Sequence, residues 1–333
     1  MINGKTILIT GGTGSFGNKF TRTAFKKFKP KKLIIFSRDE FKQYEMAKIF
    51  SPQKYPIRYF LGDVRDQGRL SRAFEGVDYV VHAAALKQVP ALEYNPMEAV
   101  KTNILGADNI VEAAIDQGID KVVALSTDKA SNPINLYGAT KLAAEKVFIA
   151  ANAYAGGRVK FCVVRYGNVM GSRGSVIPLF RGLKAQGTKE FPITDERMTR
   201  FWITLDQSVE LVMNVLNFGV GGECFVPIIP SMHVVDLARA IEPQAKFKII
   251  GIRPGEKLHE SLISEDEGYN TRIYKDTYVI LPQFFENKEI HKQYEAAPRV
   301  PEGFIYRSDL NKKQLKVKDL KLIISRMGES LMP

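Results

Sequence analysis

Through its first half the chain alternates between short β-branched runs and helical stretches, and that rhythm leaves few folds open. The runs KTILIT, KLIIFS, IRYFLGD, VDYVVHAA, KVVALST and VKFCVVRYG are each apolar through their centres. Between them lie helical stretches expected to end near Lys27, Phe50 and Phe74, then to run from about Pro96 to Gln117 and from Tyr137 to Tyr154. Runs without a wet face read as strands buried on both sides, the condition of a parallel sheet between two helical layers. After Gly167 the rhythm breaks into Gly/Pro-rich loops (GSRGSVIP, IIPSMH, GIRPGEK) with short helices such as Leu205 to Asn217.

The expectation is an α/β fold, a Rossmann-type doubly wound parallel sheet over 1–167, followed by a smaller loop-rich C-terminal substrate lobe over 168–333. Some segments of that lobe are expected to return to the first domain. The first strand enters Thr10-Gly11-Gly12-Thr13-Gly14-Ser15-Phe16-Gly17 and then an amphipathic helix. A glycine turn in that place lets backbone N–H groups approach a pyrophosphate at the helix N-terminus, so Gly11, Thr13, Gly14, Ser15, Phe16 and Gly17 are expected at a dinucleotide. The spacing is G-x-x-G-x-x-G, a variant of the usual fingerprint.

An acid at the end of the second strand would bind a ribose 2′-hydroxyl. Here the strand ends Phe36-Ser37-Arg38-Asp39 with Lys42 a turn later. Arg38 can pair with a 2′-phosphate, which favours NADP; the alternative is a surface cation beside Asp39 and Glu40. Asp63 and Val64, after the third strand, are expected near the adenine, unless Asp63 is a helix N-cap.

The chain carries 48 Lys and Arg against 36 Asp and Glu, a net charge of +12. Eleven of the cations lie in the first 48 residues, with Lys19, Arg22, Lys26 and Lys29 on what reads as the wet side of the first helix, and a second group is KKQLKVKDLK. A solvated face explains them, and no nucleic-acid motif accompanies them. No apolar run is long enough for a membrane span, and MINGKTILITGG lacks a signal-peptide pattern, so a cytoplasmic protein is expected. Cys162 and Cys224 read as buried thiols, and the four histidines lack ligand spacing, so no metal site is expected.

The fifth strand ends Ser126-Thr127-Asp128-Lys129, and the next helix opens on Tyr137-Gly-Ala-Thr-Lys141. Tyr and Lys at i, i+4 share a helix face, which lets an ammonium favour the phenolate that takes a proton from a substrate alcohol. These residues make the chain resemble the extended short-chain dehydrogenase/reductase family over nearly its whole length. Its nucleotide-sugar branch is suggested by Arg165-Tyr-Gly-Asn168-Val169, Lys101-Thr-Asn103-Ile-Leu-Gly106 and Arg253-Pro-Gly-Glu256-Lys. Retaining sugar 4,6-dehydratases carry Asp-Glu after the Thr. Here the pair is Asp128-Lys129, and with AALKQVP, DKASNPINLYGATK and MTRFWIT it is similar to the inverting UDP-N-acetylglucosamine 4,6-dehydratases of the pseudaminic acid pathway.

The resemblance implies a hydro-lyase that uses NADP, with Thr127, Asp128, Lys129, Tyr137 and Lys141 catalytic. Lys129, if neutral, would be the base at carbon 5 and Asp128, if protonated, the acid for the 6-hydroxyl; the alternative is a salt-bridged loop pair. It further implies cofactor contacts from Ala83, Ala84, Ala85, Asn103, Tyr137, Lys141 and Val169. Substrate contacts would come from Lys87, Asn168, Arg173, Thr194, Met198, Arg253 and Glu256. The implied partners are a UDP-sugar and further copies of the chain, a homo-oligomer with a hexamer among the forms allowed, in the service of flagellin or surface glycosylation. An epimerase or reductase of the same family would need Tyr137 and Lys141 but not Asp128-Lys129. A non-catalytic NADP-binding regulator is the remaining alternative.

Overall fold

The computed structural model describes residues 2–171, 176–285 and 287–328. Six parallel strands form the centre: β1 (Thr6–Thr10), β2 (Lys32–Ser37), β3 (Ile57–Leu61), β4 (Tyr79–His82), β5 (Lys121–Leu125) and β6 (Lys160–Val164). They lie in the order β3-β2-β1-β4-β5-β6, so the chain winds outward one way from β1 and the other way from β4. A crevice opens between β1 and β4, where a sheet of this kind receives its ligand. The strands are in register without slips, with Ile9 opposite Ile35 on one side and Val81 on the other.

Connecting these strands are α1 (Ser15–Lys27), α2 (Glu40–Ile49) and α3 (Gln67–Phe74), and after β4 the short helices α4 (Val89–Tyr94) and α5 (Pro96–Ala99). The single long helix expected over Pro96 to Gln117 is broken. Residues Val100–Leu105 form a widened π turn before α6 (Gly106–Asp116) begins. In that turn the Asn103 side chain accepts from the Leu86 N–H at 2.9 Å and donates to the Leu86 carbonyl at 3.0 Å, bracing the loop after β4. Such bulges recur beside functional sites. Helix α7 (Leu136–Tyr154) follows β5, capped by Asn135, whose side chain accepts from the Gly138 N–H.

The later chain adds three strands to the same sheet. Cys224–Pro227 runs parallel to β6, and the antiparallel hairpin Thr271–Tyr274 with Thr277–Ile280 closes that edge. A continuous core runs through the sheet, and a second one in the smaller lobe gathers Phe180, Phe191, Trp202, Met232, Leu237 and Leu320. Beside this core lies a buried ion cluster that ties α7 to the later chain. Arg165, just past β6, makes two hydrogen bonds to Glu145 of α7 (3.0 and 2.6 Å) and two to Glu267 (both 2.8 Å). Its Nη1 also donates to the Leu262 carbonyl, so a fully buried guanidinium finds all its charge compensation in place.

Candidate active site

One cleft of about 830 Å³ runs across the carboxyl ends of β1, β4 and β5. At one end the turn after β1 enters α1. Gly11 has φ +63°, and a Cβ there would stand 2.9 Å from the backbone of Ala84, so only glycine lets the two loops approach. Helix α1 starts from Gly14 with no side-chain cap and no acid in its first turn, which leaves its N–H groups facing the cleft. Gly17 does not line the cleft. Its missing Cβ would lie 2.2 Å from the Gly12 carbonyl, so its role is to let α1 pack on the turn.

Gly11, Thr13, Gly14, Ser15, Phe16, Ser37, Arg38, Asp39, Lys42, Asp63, Val64, Ala83, Ala84 and Ala85 all line this end, as expected. The Thr13 and Ser37 hydroxyls are 2.9 Å apart, and Ser37 accepts from the Asp39 N–H. Asp39 caps α2, accepting from the Lys42 N–H and pairing with its ammonium. Arg38 reaches Asp63 at 3.6 Å while more than half exposed. Asp63 is not the N-cap of α3; Asp66 is. Burial would raise the Asp63 carboxyl, but Arg65 and then Arg38 hold it below the usual range. Asn103 is a bracing residue behind the wall, not a lining one. An uncapped helix start after a glycine-rich turn fits a dinucleotide, with an exposed guanidinium close by at the end of β2.

Further along, Leu125, Ser126, Thr127, Lys129, Tyr137 and Lys141 form the wall. The buried Lys141 ammonium donates to the Leu125 carbonyl at 2.8 Å, and burial pushes its pKa down to about 8 in spite of Glu145. Burial raises the Tyr137 phenol. The neighbours that favour its phenolate are Lys129 and the Thr127 hydroxyl.

The Asp128–Lys129 pair sits in a 3₁₀ turn, Asp128–Ala130, capped by Thr127. Lys129 is on the cleft wall; Asp128 is 1 % exposed and lies behind it. The Lys129 ammonium is 2.9 Å from Asp128 Oδ1, 3.2 Å from Glu260 Oε1 and 3.5 Å from Asn168 Oδ1. Burial, with Glu260 adding to it, pushes Asp128 up as expected. Lys129 departs from expectation: burial alone would lower it, but Asp128 and Glu260 outweigh burial and hold it above the ordinary lysine value.

Of the expected substrate contacts, Lys87 and Asn168 line the cleft together with Val169, and Arg173 lies outside the described residues. Thr194, Arg253 and Glu256 form their own cluster beyond the wall, with the Thr194 hydroxyl and Arg253 Nε each 3.5 Å from Glu256 Oε2. Met198 is buried, so its side chain is a packing group here. Reading the sequence missed Tyr166 and Trp202 on the wall, and Glu260 and Arg200 behind it. For Arg200 a signal was at hand, since it stands inside MTRFWIT; for Glu260 there was none beyond its place four residues after Glu256. Among the described residues no His, Cys, Asp or Glu group is placed to hold a metal ion, and no helix is long and apolar enough to cross a membrane.

The sequence pattern of the polysaccharide biosynthesis protein family matches residues 7–282. The chain is 53% identical over 331 residues to a Campylobacter jejuni protein named UDP-N-acetylglucosamine 4,6-dehydratase (inverting), covering 98% of each chain. It is 46% identical over 284 residues to a Rickettsia massiliae protein named UDP-glucose 4-epimerase, covering 83% of this chain and 82% of that one. Among solved structures, Pen from Bacillus thuringiensis superposes with a TM-score of 0.89 at 37% identity, over 98% of this chain and 99% of that one.

Proposed function

The chain belongs to the polysaccharide biosynthesis protein family, within the extended short-chain dehydrogenases/reductases, and we propose that it is an NADP-dependent inverting 4,6-dehydratase of UDP-N-acetylglucosamine. The product would be a UDP-4-keto-6-deoxy-L-arabino-hexosamine, with carbon 5 inverted. The observation that carries the reading is the Lys129 ammonium on the cleft wall, 2.9 Å from a buried Asp128 and beside Tyr137. A 4-epimerase has no use for a second acid/base couple at that place.

A nicotinamide held by the turn after β1 and the walls of the cleft would supply a reversible hydride acceptor for carbon 4 and carbon 6. The protein supplies the proton chemistry. Tyr137 takes the proton of the 4-hydroxyl, with Lys129 and Thr127 favouring its phenolate. The carbon 4 ketone acidifies the carbon 5 hydrogen. Passing the Lys129 proton to Asp128 leaves a neutral amine to take that hydrogen, and a protonated Asp128 as the acid reserve for the departing 6-hydroxyl. The raised proton affinity of Asp128 makes it a ready acceptor. Arg38 would select NADP through the 2′-phosphate, and Lys87 and Arg253 would meet the UDP diphosphate. By the same resemblance, the protein would act in the cytoplasm as a homo-oligomer, feeding pseudaminic acid synthesis and flagellin glycosylation.

A second reading, UDP-sugar 4-epimerase, is favoured by the 46% identical relative of that name. Incubating the purified protein with UDP-N-acetylglucosamine and a trace of NADP, and identifying the product by NMR, separates the two. A 4-keto-6-deoxy sugar inverted at carbon 5 supports the dehydratase. A sugar that keeps its 6-hydroxyl and changes only at carbon 4 overturns it in favour of the epimerase.

A further inference from the structure

We propose that Glu260, from the later part of the chain, is the positioning residue that fixes both the place and the charge of Lys129. An ammonium has three donors, and Lys129 faces three oxygens, on Asp128, Glu260 and Asn168. Asp128 is the residue before it and moves with it. Glu260 does not. Its backbone N–H donates to the Ser308 hydroxyl at 3.0 Å and its carbonyl accepts from the Ser308 N–H at 2.8 Å. The Ser308 hydroxyl is in turn 2.7 Å from Thr199 Oγ1, so the Glu260 backbone is tied through Ser308 to the strand Thr199–Ile203.

Its carboxylate, 2 % exposed, lies 3.8 Å from the buried Arg200 guanidinium. Burial would raise it, but Lys129, Arg200 and Lys257 hold it ionised. The charged groups facing Lys129 are therefore Asp128 and Glu260 in its favour and Arg200 against it. Two carboxylates and one ammonium in a water-poor place hold a proton firmly. Glu260 also repels the Asp128 carboxylate and so raises its proton affinity. Both ends of the Asp128–Lys129 contact are lifted together, so the proton the pair shares is held to a higher pH than Asp128 alone would hold it.

The test is Glu260→Gln, which keeps the shape and one acceptor oxygen but removes the charge. Lysine labelled with carbon-13 at Cε reports the charge of Lys129 by NMR, its signal assigned from Lys129→Arg. In the unaltered protein Lys129 should stay charged beyond about 10.4, the ordinary lysine midpoint. In Glu260→Gln its midpoint should fall by at least about one unit, a tenfold rise in acid dissociation. The alkaline limb of turnover should fall by a similar span, with little change in KM. An unmoved Lys129 midpoint overturns the inference. So does an ordinary or lowered midpoint in the unaltered protein, which needs no variant to fold. Only the turnover arm rests on the dehydratase reading: a protein that shows the NMR shift but forms no 4-keto-6-deoxy sugar fails that reading and keeps this inference, and the reverse result does the opposite.

Discussion

The Nζ of Lys129 lies 2.9 Å from Oδ1 of Asp128, so a base and an acid candidate for one elimination are chain neighbours in direct contact. Turnover in heavy water should therefore place deuterium at carbon 5 of the product. Carbon 6 should carry the hydrogen that began at carbon 4. Lys129→Ala should abolish loss of water, and Asp128→Asn should do nearly the same, because the 6-hydroxyl leaves poorly without an acid. Protium kept at carbon 5, or full dehydration by Lys129→Ala, would remove Lys129 from its assigned role.

Tyr137 stands on the same wall, at the first turn of α7. Tyr137→Phe keeps the ring and removes the proton acceptor for the 4-hydroxyl. Turnover should drop at least about 100-fold while dinucleotide binding, followed by calorimetry, stays near that of the unaltered protein. A near-normal rate would put the carbon 4 base elsewhere.

Arg38 offers an exposed guanidinium at the end of β2, with Asp63 as its ionic neighbour at 3.6 Å. NADP should bind more tightly than NAD, and Arg38→Ala should narrow the gap by roughly 1.5 to 3 kcal/mol, the range for a charge-assisted hydrogen bond. Equal affinities in the unaltered protein would defeat the NADP assignment.

Lys141 gives a pH signature in stability. Its folded pKa of about 8 lies below the unfolded value of 10.5. Between those values the unfolded chain binds more protons, so this group makes stability rise with pH through that window, by roughly 3 kcal/mol at most. Urea unfolding of Lys141→Met across the same window should lack this rise. Parallel curves for the two proteins would show that the amine is not depressed.

The sheet was legible because its strands are buried on both faces. KLIIFS and KVVALST read as strands covered on both faces, and the order β3-β2-β1-β4-β5-β6 is the usual one for the doubly wound fold that this reading implies. The break at Val100–Leu105 was not legible, since a π turn keeps helical composition and differs only in which carbonyl each N–H meets. On the wall, Gly11, Arg38, Lys129 and Tyr137 were readable because each sits at a strand end or first helical turn, where the fold itself points side chains at a ligand. Glu260 was not, because it reaches Lys129 only through a tertiary contact between residues far apart in the chain. The same gap hid half of the surroundings of Lys129: one carboxylate is in the adjacent residue, but the second comes from far along the chain.

Arg165 shows why the boundary near Gly167 is no place to cut. The guanidinium is neutralised from α7 by Glu145 and from the later chain by Glu267, and the strand that covers the outer edge of β6 is Cys224–Pro227. A fragment ending there would keep the dinucleotide turn intact and yet expose a raw β edge, with one carboxylate gone from its ion cluster. The two halves are therefore not interchangeable modules. A graft of a foreign sugar-binding lobe onto this sheet would have to bring its own counterpart of Glu267 and its own strand for the edge before any question of substrate choice arose.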